Sequence, residues 1–154
     1  MENRVAILPG DYVEIKDTNP KDAIGIRKVG LSAVPMRVLW RVGLAMLEGA
    51  CKYGRHNYRA VGVRGSVYFD ACQRHLLDWW EGTDIDPDSE LHHLDKALAC
   101  LFVLRDSILT GNYTDDRPPA AKEDFTLLNE LAGKLIDRHV SKKPTHYTIQ
   151  DDHV

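Results

Sequence analysis

Residues 66–81 read SVYFDACQRHLLDWWE, with Asp70, Arg74, Asp78 and Glu81 recurring at three- and four-residue intervals. At about 100° per residue on a helix, these four side chains fall within roughly 80° of one another, opposite Phe69, Cys72, Leu76 and Trp79. Three carboxylates and one guanidinium on a single face can hold a divalent cation and touch a phosphate. The same face also reads as solvated surface carrying an Asp70–Arg74 ion pair at i, i+4. Upstream, Glu48 and Lys52 stand one helical turn apart, and the segment after them offers Arg55, His56, Asn57, Tyr58 and Arg59. If the two helices pack antiparallel across the loop at 55–65, Glu48 and Asp70 lie at similar depth, with Lys52 and Arg74 one turn to either side. An acid inside a helical bundle is costly unless a metal or cation answers it. The pattern therefore suits a Mg²⁺–triphosphate better than an apolar core.

A second acidic cluster, Asp84, Asp86, Asp88 and Glu90, separates this helix from the next. Alternating acids between helices suggest a calcium loop, but Ser89 stands where such a loop needs Gly, Pro87 stiffens the turn, and Asp95 replaces the closing Glu. Capping of the following helix by Asp88 and Ser89 is the structural expectation. Asp84 and Asp86 remain candidates for a metal or for orienting His75 or His93. No Ser–His–Asp order or dinucleotide fingerprint is present, and Gly25, Gly30, Gly43 and Gly49 have the wrong spacing for a phosphate loop.

Four helices must position these groups, at about 34–53, 66–81, 88–109 and 124–140. Leu39, Val42, Met46, Ala50 and Tyr53 give the first its apolar face, with Gly54 as its stop. Ser66 is the expected N-cap of the second. In the third, Leu91, Leu94, Leu98, Leu101 and Ile108 are in phase, and 97–104 is apolar nearly all round, which places it at the centre of a bundle or at an oligomer interface. Phe125, Leu128, Ala132 and Leu135 mark the weaker fourth helix. Residues 1–30 read as a non-helical arm in which Tyr12, Val13 and Ile15 form a short strand. Residues 111–123 read as a Pro-rich linker, and 141–154 as a polar tail. The organisation is a single all-α domain of 154 residues with its helical core at 31–110.

A net charge of −3 without a basic stripe argues against a binder of polymeric nucleic acid. The longest apolar run is too short to cross a bilayer, and the N-terminus lacks signal-peptide character. Cys51, Cys72 and Cys100 match no zinc spacing and fall within helical patterns; reduced, buried thiols in a cytoplasmic protein are expected.

The sequence words are more specific than the spacings. Asn19-Pro20-Lys21-Asp22-Ala23-Ile24-Gly25 with Lys28 is followed by Leu31-Ser32-Ala33-Val34-Pro35 and by Glu48-Gly49-Ala50-Cys51-Lys52-Tyr53-Gly54 with Asn57-Tyr58-Arg59. Then come Gly62-Val63-Arg64-Gly65-Ser66-Val67-Tyr68, Asp70-Ala71, Arg74-His75, Trp79, Gly82, Asp84, Asp86-Pro87, His93-Leu94 and Asp115-Asp116-Arg117-Pro118. In this order, across about residues 19–119, the chain resembles the phage dATP/dGTP diphosphohydrolase (MazZ) family, which is similar to the MazG-like all-α nucleotide pyrophosphohydrolases.

The resemblance implies a helical bundle of the MazG-like type and a site completed in a homo-oligomer, dimer or tetramer. It implies dependence on Mg²⁺, with Mn²⁺ as a substitute, and conversion of dGTP, with dATP as a second substrate, to the monophosphate and pyrophosphate. In some phages the dGMP feeds synthesis of 2-aminoadenine nucleotides. Glu48, Asp70, Asp84 and Asp86 would hold metal; Glu48, Lys52 and Asp70 would carry the chemistry. Asn19, Lys21, Asp22, Lys28, Tyr53, Asn57, Arg59, Arg74 and His75 would bind substrate. The chain departs from the MazG-like pattern of paired acids three residues apart, since Ala45 precedes Glu48 and Val67 precedes Asp70. A competing mapping uses Asp78 and Glu81 with Asp95, where His92 replaces a Glu. A helical phage adaptor that binds a host protein and does no chemistry is the other class, and it leaves the Glu48/Lys52/Asp70/Arg74 constellation unexplained.

Overall fold

The computed structural model describes residues 4–8, 11–14, 19–120, 122 and 124–151. It is mostly helical. A hairpin of β1 (Arg4–Leu8) and β2 (Asp11–Glu14) leads to a short α1 (Pro20–Gly25), then α2 (Met36–Tyr53), α3 (Asn57–Val61), β3 (Val63–Arg64), α4 (Gly65–Trp80), α5 (His93–Leu109), β4 (Tyr113–Thr114) and α6 (Phe125–His139).

The three long helices of the core fall where the periodicity places them, with corrections at the ends. The arm is not wholly non-helical, because the Asn19 side chain accepts from the Lys21 N–H at 3.0 Å and starts α1. The strand expected from Tyr12 and Val13 is present as β2; Ile15 lies outside the described residues. The loop expected at 55–65 contains α3, entered through His56 in the left-handed region (φ 59°). Ser66 is not an N-cap but the second residue of α4. Its N–H and its hydroxyl both donate to Asp116, at 2.8 and 2.5 Å, so the cap comes from a distant loop. Nor do Asp88 and Ser89 cap α5, which begins only at His93; the His92 Nδ1 accepts from Leu94 N–H at 3.2 Å. Asp124 caps α6 through Thr126 N–H at 2.8 Å.

The expected antiparallel packing of the first two long helices across residues 55–65 does not occur. α5 packs against both α4 and α2 and lies between them. The reason is in the side chains of α5. Its buried positions are small or polar (His93, Asp95, Ala97, Val103 and Ser107), which lets helices approach on two sides. Against them stand Val42 and Ala45 of α2 and Cys72 of α4. Leu101 and Phe102, by contrast, remain about half exposed on α5, as do Leu44 and Leu47 on α2. β3 and β4 pair in parallel, Val63 with Tyr113 and Arg64 with Thr114. That pairing brings the start of α4 beside the end of α5, so the two helices run antiparallel. Gly65 suits this junction: a Cβ there would lie 2.6 Å from the Tyr113 hydroxyl and would have to displace that side chain. α6 makes its main contacts only with the 3₁₀ turn that follows it, Val140–Lys142. Among the described residues no helix is long and apolar enough to cross a membrane.

Candidate active site

α2, α4 and α5 converge with the segment 53–58 on a cavity of about 590 Å³, within the usual range for small-molecule sites. Its walls combine Glu48 and Lys52 of α2, Tyr68 and His75 of α4, and Lys96 of α5; Tyr53, His56, Asn57 and Tyr58 form the rim. The stop at Gly54 (φ 90°), a position that glycine adopts readily, turns the chain back over the cavity before α3 begins.

Lys96 organises the charge. Its ammonium bonds the Asp86 carboxylate, donates to Ser89 Oγ at 3.0 Å and lies 3.4 Å from Glu48 Oε2. Lys52 holds the other Glu48 oxygen at 2.5 Å. Partial burial opposes ionisation of Glu48, yet the two lysines outweigh it and keep the carboxyl below its ordinary pKa. Asp86 is 8% exposed. It is held further below the carboxylate range, because bonds from Lys96, Ser89 and the Asp88 N–H overcome its burial. Asp86 thus fixes the turn 86–90, whose last residue, Glu90, takes a left-handed φ of 58°.

Behind Lys96 lies a second group. His75 Nδ1 and His93 Nδ1 are 2.9 Å apart, and Asp78 Oδ2 lies 3.8 Å from His93 Nδ1. His75, Asp78 and His93 present ligand atoms all within 4.8 Å of one another, so they can coordinate a metal ion. His93 is 3% exposed, and its Nε2 has no hydrogen-bond partner among the described residues. Burial first, then the Lys96 charge and His93, hold His75 below its ordinary pKa.

Of the residues singled out from sequence, the fold brings Glu48, Lys52, Tyr53, Asn57 and His75 to the cavity, and Asp86 joins Glu48 through Lys96. It does not bring Asp70 there: Asp70 is exposed, on the side of α4 away from Cys72, and Arg74 shares that outward side. Arg59 is engaged by Asp106 through two bonds of 2.7 and 2.6 Å, which tie α3 to α5. Asp84 is exposed, 3.7 Å from His92. Asn19 caps α1, and Lys21 and Lys28 are exposed on the arm; the Asp22 side chain lies outside the described residues. Sequence reasoning missed Lys96 and the joining of His75, Asp78 and His93. Two signals were available: His75 and Asp78 sit at i, i+3, and Lys96 is the one cation just before an otherwise apolar stretch of α5. Of the cysteines, Cys72 is buried and Cys100 half-buried, its thiol pushed up to about 11 by burial and by Cys72, whereas Cys51 is exposed, contrary to expectation.

An α-helical bundle with a cavity walled by a paired carboxylate and two ammonium groups, backed by a metal-competent His–Asp–His cluster, defines the class. The chain belongs to the dATP/dGTP diphosphohydrolase family, whose N-terminal region it matches over residues 18–117. It is similar to a protein of Salmonella phage PMBT28 described as a dATP/dGTP diphosphohydrolase, with 30% identity over 90 residues. The match takes in 58% of this chain but spans only 30% of the relative's length. No solved structure matches the chain.

Proposed function

We propose that this chain hydrolyses purine deoxynucleoside triphosphates, dGTP and dATP, to the monophosphate and pyrophosphate. The observation that carries the reading is the ionised Glu48 carboxylate in a nucleotide-sized cavity beside Lys52 and Lys96, within a chain of this family. The helical core at 31–110 would carry the chemistry, as a MazG-like bundle.

Mg²⁺ takes oxygen ligands, commonly one or two carboxylates completed by water and substrate phosphates. Glu48 fits that role: it is charged, lines the cavity, and already balances cations on both its oxygens. When bound, Mg²⁺ supplies Lewis-acid neutralisation of the phosphate oxygens. Lys52, half exposed, meets the incoming phosphates first, and Lys96, deeper, neutralises charge as the α–β anhydride breaks. Water adds across that bond, so monophosphate and pyrophosphate leave together. Tyr53 offers a ring and Asn57 an amide to the base, and Asn19, Lys21, Asp22 and Lys28 on the arm would close over the nucleotide. Asp86 holds Lys96 in place; Arg59, Arg74, Asp70 and Asp84 take no step within one chain. In the host cytoplasm the dGMP product would enter phage nucleotide metabolism, including synthesis of 2-aminoadenine nucleotides.

The expected products of dGTP are dGMP and pyrophosphate in equal amounts from the first time point, with EDTA abolishing turnover. Initial release of dGDP and phosphate rejects the reading, as does a purified chain that releases nothing with Mg²⁺ present.

We also propose a homo-oligomer. Trp40, Leu44 and Leu47 on α2 and Leu101 and Phe102 on α5 leave more apolar surface exposed than single chains usually carry. Light scattering at tens of micromolar, a concentration set by ordinary interface affinities of about 1 μM or tighter, should give at least the mass of a dimer. A monodisperse monomer at that concentration refutes it.

A further inference from the structure

We infer that His75, Asp78 and His93 form a resident site for a divalent transition-metal ion, separate from the Mg²⁺ assigned to Glu48. Two nitrogens bound at about 2.1 Å to one ion lie about 3.0 Å apart at right angles and about 3.4 Å apart at the tetrahedral angle; the two Nδ1 atoms are 2.9 Å apart, so the rings need open by at most about half an ångström to share an ion. The Asp78 carboxylate, 3.8 Å from His93 Nδ1, supplies an anionic oxygen from the same helix as His75, one turn further on. Asp78 is more than half exposed, so its side chain has room to swing toward the nitrogens.

The donor chemistry selects the ion. Two imidazoles and one carboxylate suit Mn²⁺ through Zn²⁺, with affinity rising along that series, whereas Mg²⁺ prefers oxygen throughout. Burial points the same way. His93 is 3% exposed at the first turn of α5, yet its ring has one hydrogen-bond partner among the described residues, the His75 imidazole at Nδ1, and its Nε2 has none. Polar rings buried with so little compensation are costly, and an ion shared by the two Nδ1 atoms would replace their single contact with one coordinate bond to each ring. Three protein ligands leave open positions, as in catalytic rather than structural sites. His75 also lines the cavity that Glu48 and Lys96 border, so the ion would lie beside that space. The ion is thus placed to meet a phosphate oxygen, a statement that rests on the nucleotide reading; the binding site itself does not.

The test needs no nucleotide. Purified full-length chain, stripped with a chelator, is titrated with Co²⁺ in a large excess of Mg²⁺ and followed by its visible d–d bands. The expected result is saturation at one Co²⁺ per chain, with bands of the four- or five-coordinate type. His75→Gln and His93→Ala should each weaken binding at least tenfold, Asp78→Asn should weaken it less, and Glu48→Gln should leave it unchanged. Circular dichroism identifies a His93→Ala chain that fails to fold, in which case the half-buried His75→Gln decides. Displacement of Co²⁺ by Mg²⁺, absence of saturable binding, or wild-type binding by folded His75→Gln overturns the inference. Any of these leaves the diphosphohydrolase reading intact, because that is judged by pyrophosphate release alone.

Discussion

Glu48→Gln should lower dGTP turnover by at least about a hundredfold, the scale on which loss of one preorganised electrostatic group acts. The amide keeps the shape of the side chain but can accept from only one of Lys52 and Lys96, and it removes the charge that both ammonium groups balance. Lys52 then has no carboxylate partner among the described residues and Lys96 keeps only Asp86, so the cavity wall no longer attracts a divalent ion and raising Mg²⁺ should restore little. Asp70→Asn is the informative companion. From the sequence alone Asp70 ranks with Glu48 as a metal ligand; in the fold it is exposed and faces away from the cavity. A site contained within one chain predicts near-normal turnover for Asp70→Asn. If that variant loses activity as severely as Glu48→Gln, the site is built between copies and a second chain brings its α4 to the cavity. Steady-state turnover and melting temperature for both variants separate these outcomes.

The second large effect falls on stability. Asp86→Ala removes the acceptor of three bonds, from the Asp88 N–H, the Ser89 hydroxyl and the Lys96 ammonium, and leaves a largely buried cation with Glu48 as its remaining carboxylate. Breaking a buried pair from one side costs about 3–5 kcal/mol. We expect about 3 kcal/mol, the low end, since some of the Asp86 and Lys96 side-chain surface still meets solvent. For a chain of this size that is a fall of about 6–12 °C in Tm. The pH dependence has a definite sign. The folded pKa of Asp86 lies below its unfolded value, so its contribution is complete above the unfolded pKa of about 3.9 and fades as the pH falls through the lower, folded value. The Tm gap between wild type and variant should therefore be constant near neutrality and shrink in acid. An unchanged Tm at pH 7 would show that the turn 86–90 is held by other contacts.

Local rules found the long helices because each carries its own period of apolar residues and its own stop, as with Gly54 after α2. They failed where the deciding partner is far away in the chain. Ser66 is an excellent cap by composition, yet Asp116 does the capping from fifty residues away. Lys96 looks like an ordinary surface cation until α2 brings Glu48 to it. The pairing of Glu48 with Asp70 assumed that consecutive helices pack together, and the small residues on two sides of α5 let that later helix come between them. Half of the site was legible for a related reason: Glu48, Lys52, Tyr53 and Asn57 lie close together in sequence, whereas His93 and Lys96 join them only through tertiary packing.

The clasp formed by β3, β4 and the Asp116 cap also has a consequence for the order in which the chain acquires its structure. Val63 N–H donates to Asn112 at 3.1 Å and Ser66 N–H to Asp116 at 2.8 Å, so both ends of the α4–α5 hairpin are tied by bonds spanning about fifty residues. On a ribosome the first turn of α4 stays uncapped until Asp116 has emerged, long after Glu48 and Lys52 have been made. Closing a loop of that length is slow relative to forming either helix. The α5 wall of the cavity is thus made after Glu48 and Lys52, and the clasp that caps α4 closes last. Pulsed hydrogen exchange during refolding should show the Val63 and Ser66 amides gaining protection together, after the interior of α4. Early protection of Ser66, ahead of Asp116 docking, would mean that α4 starts itself.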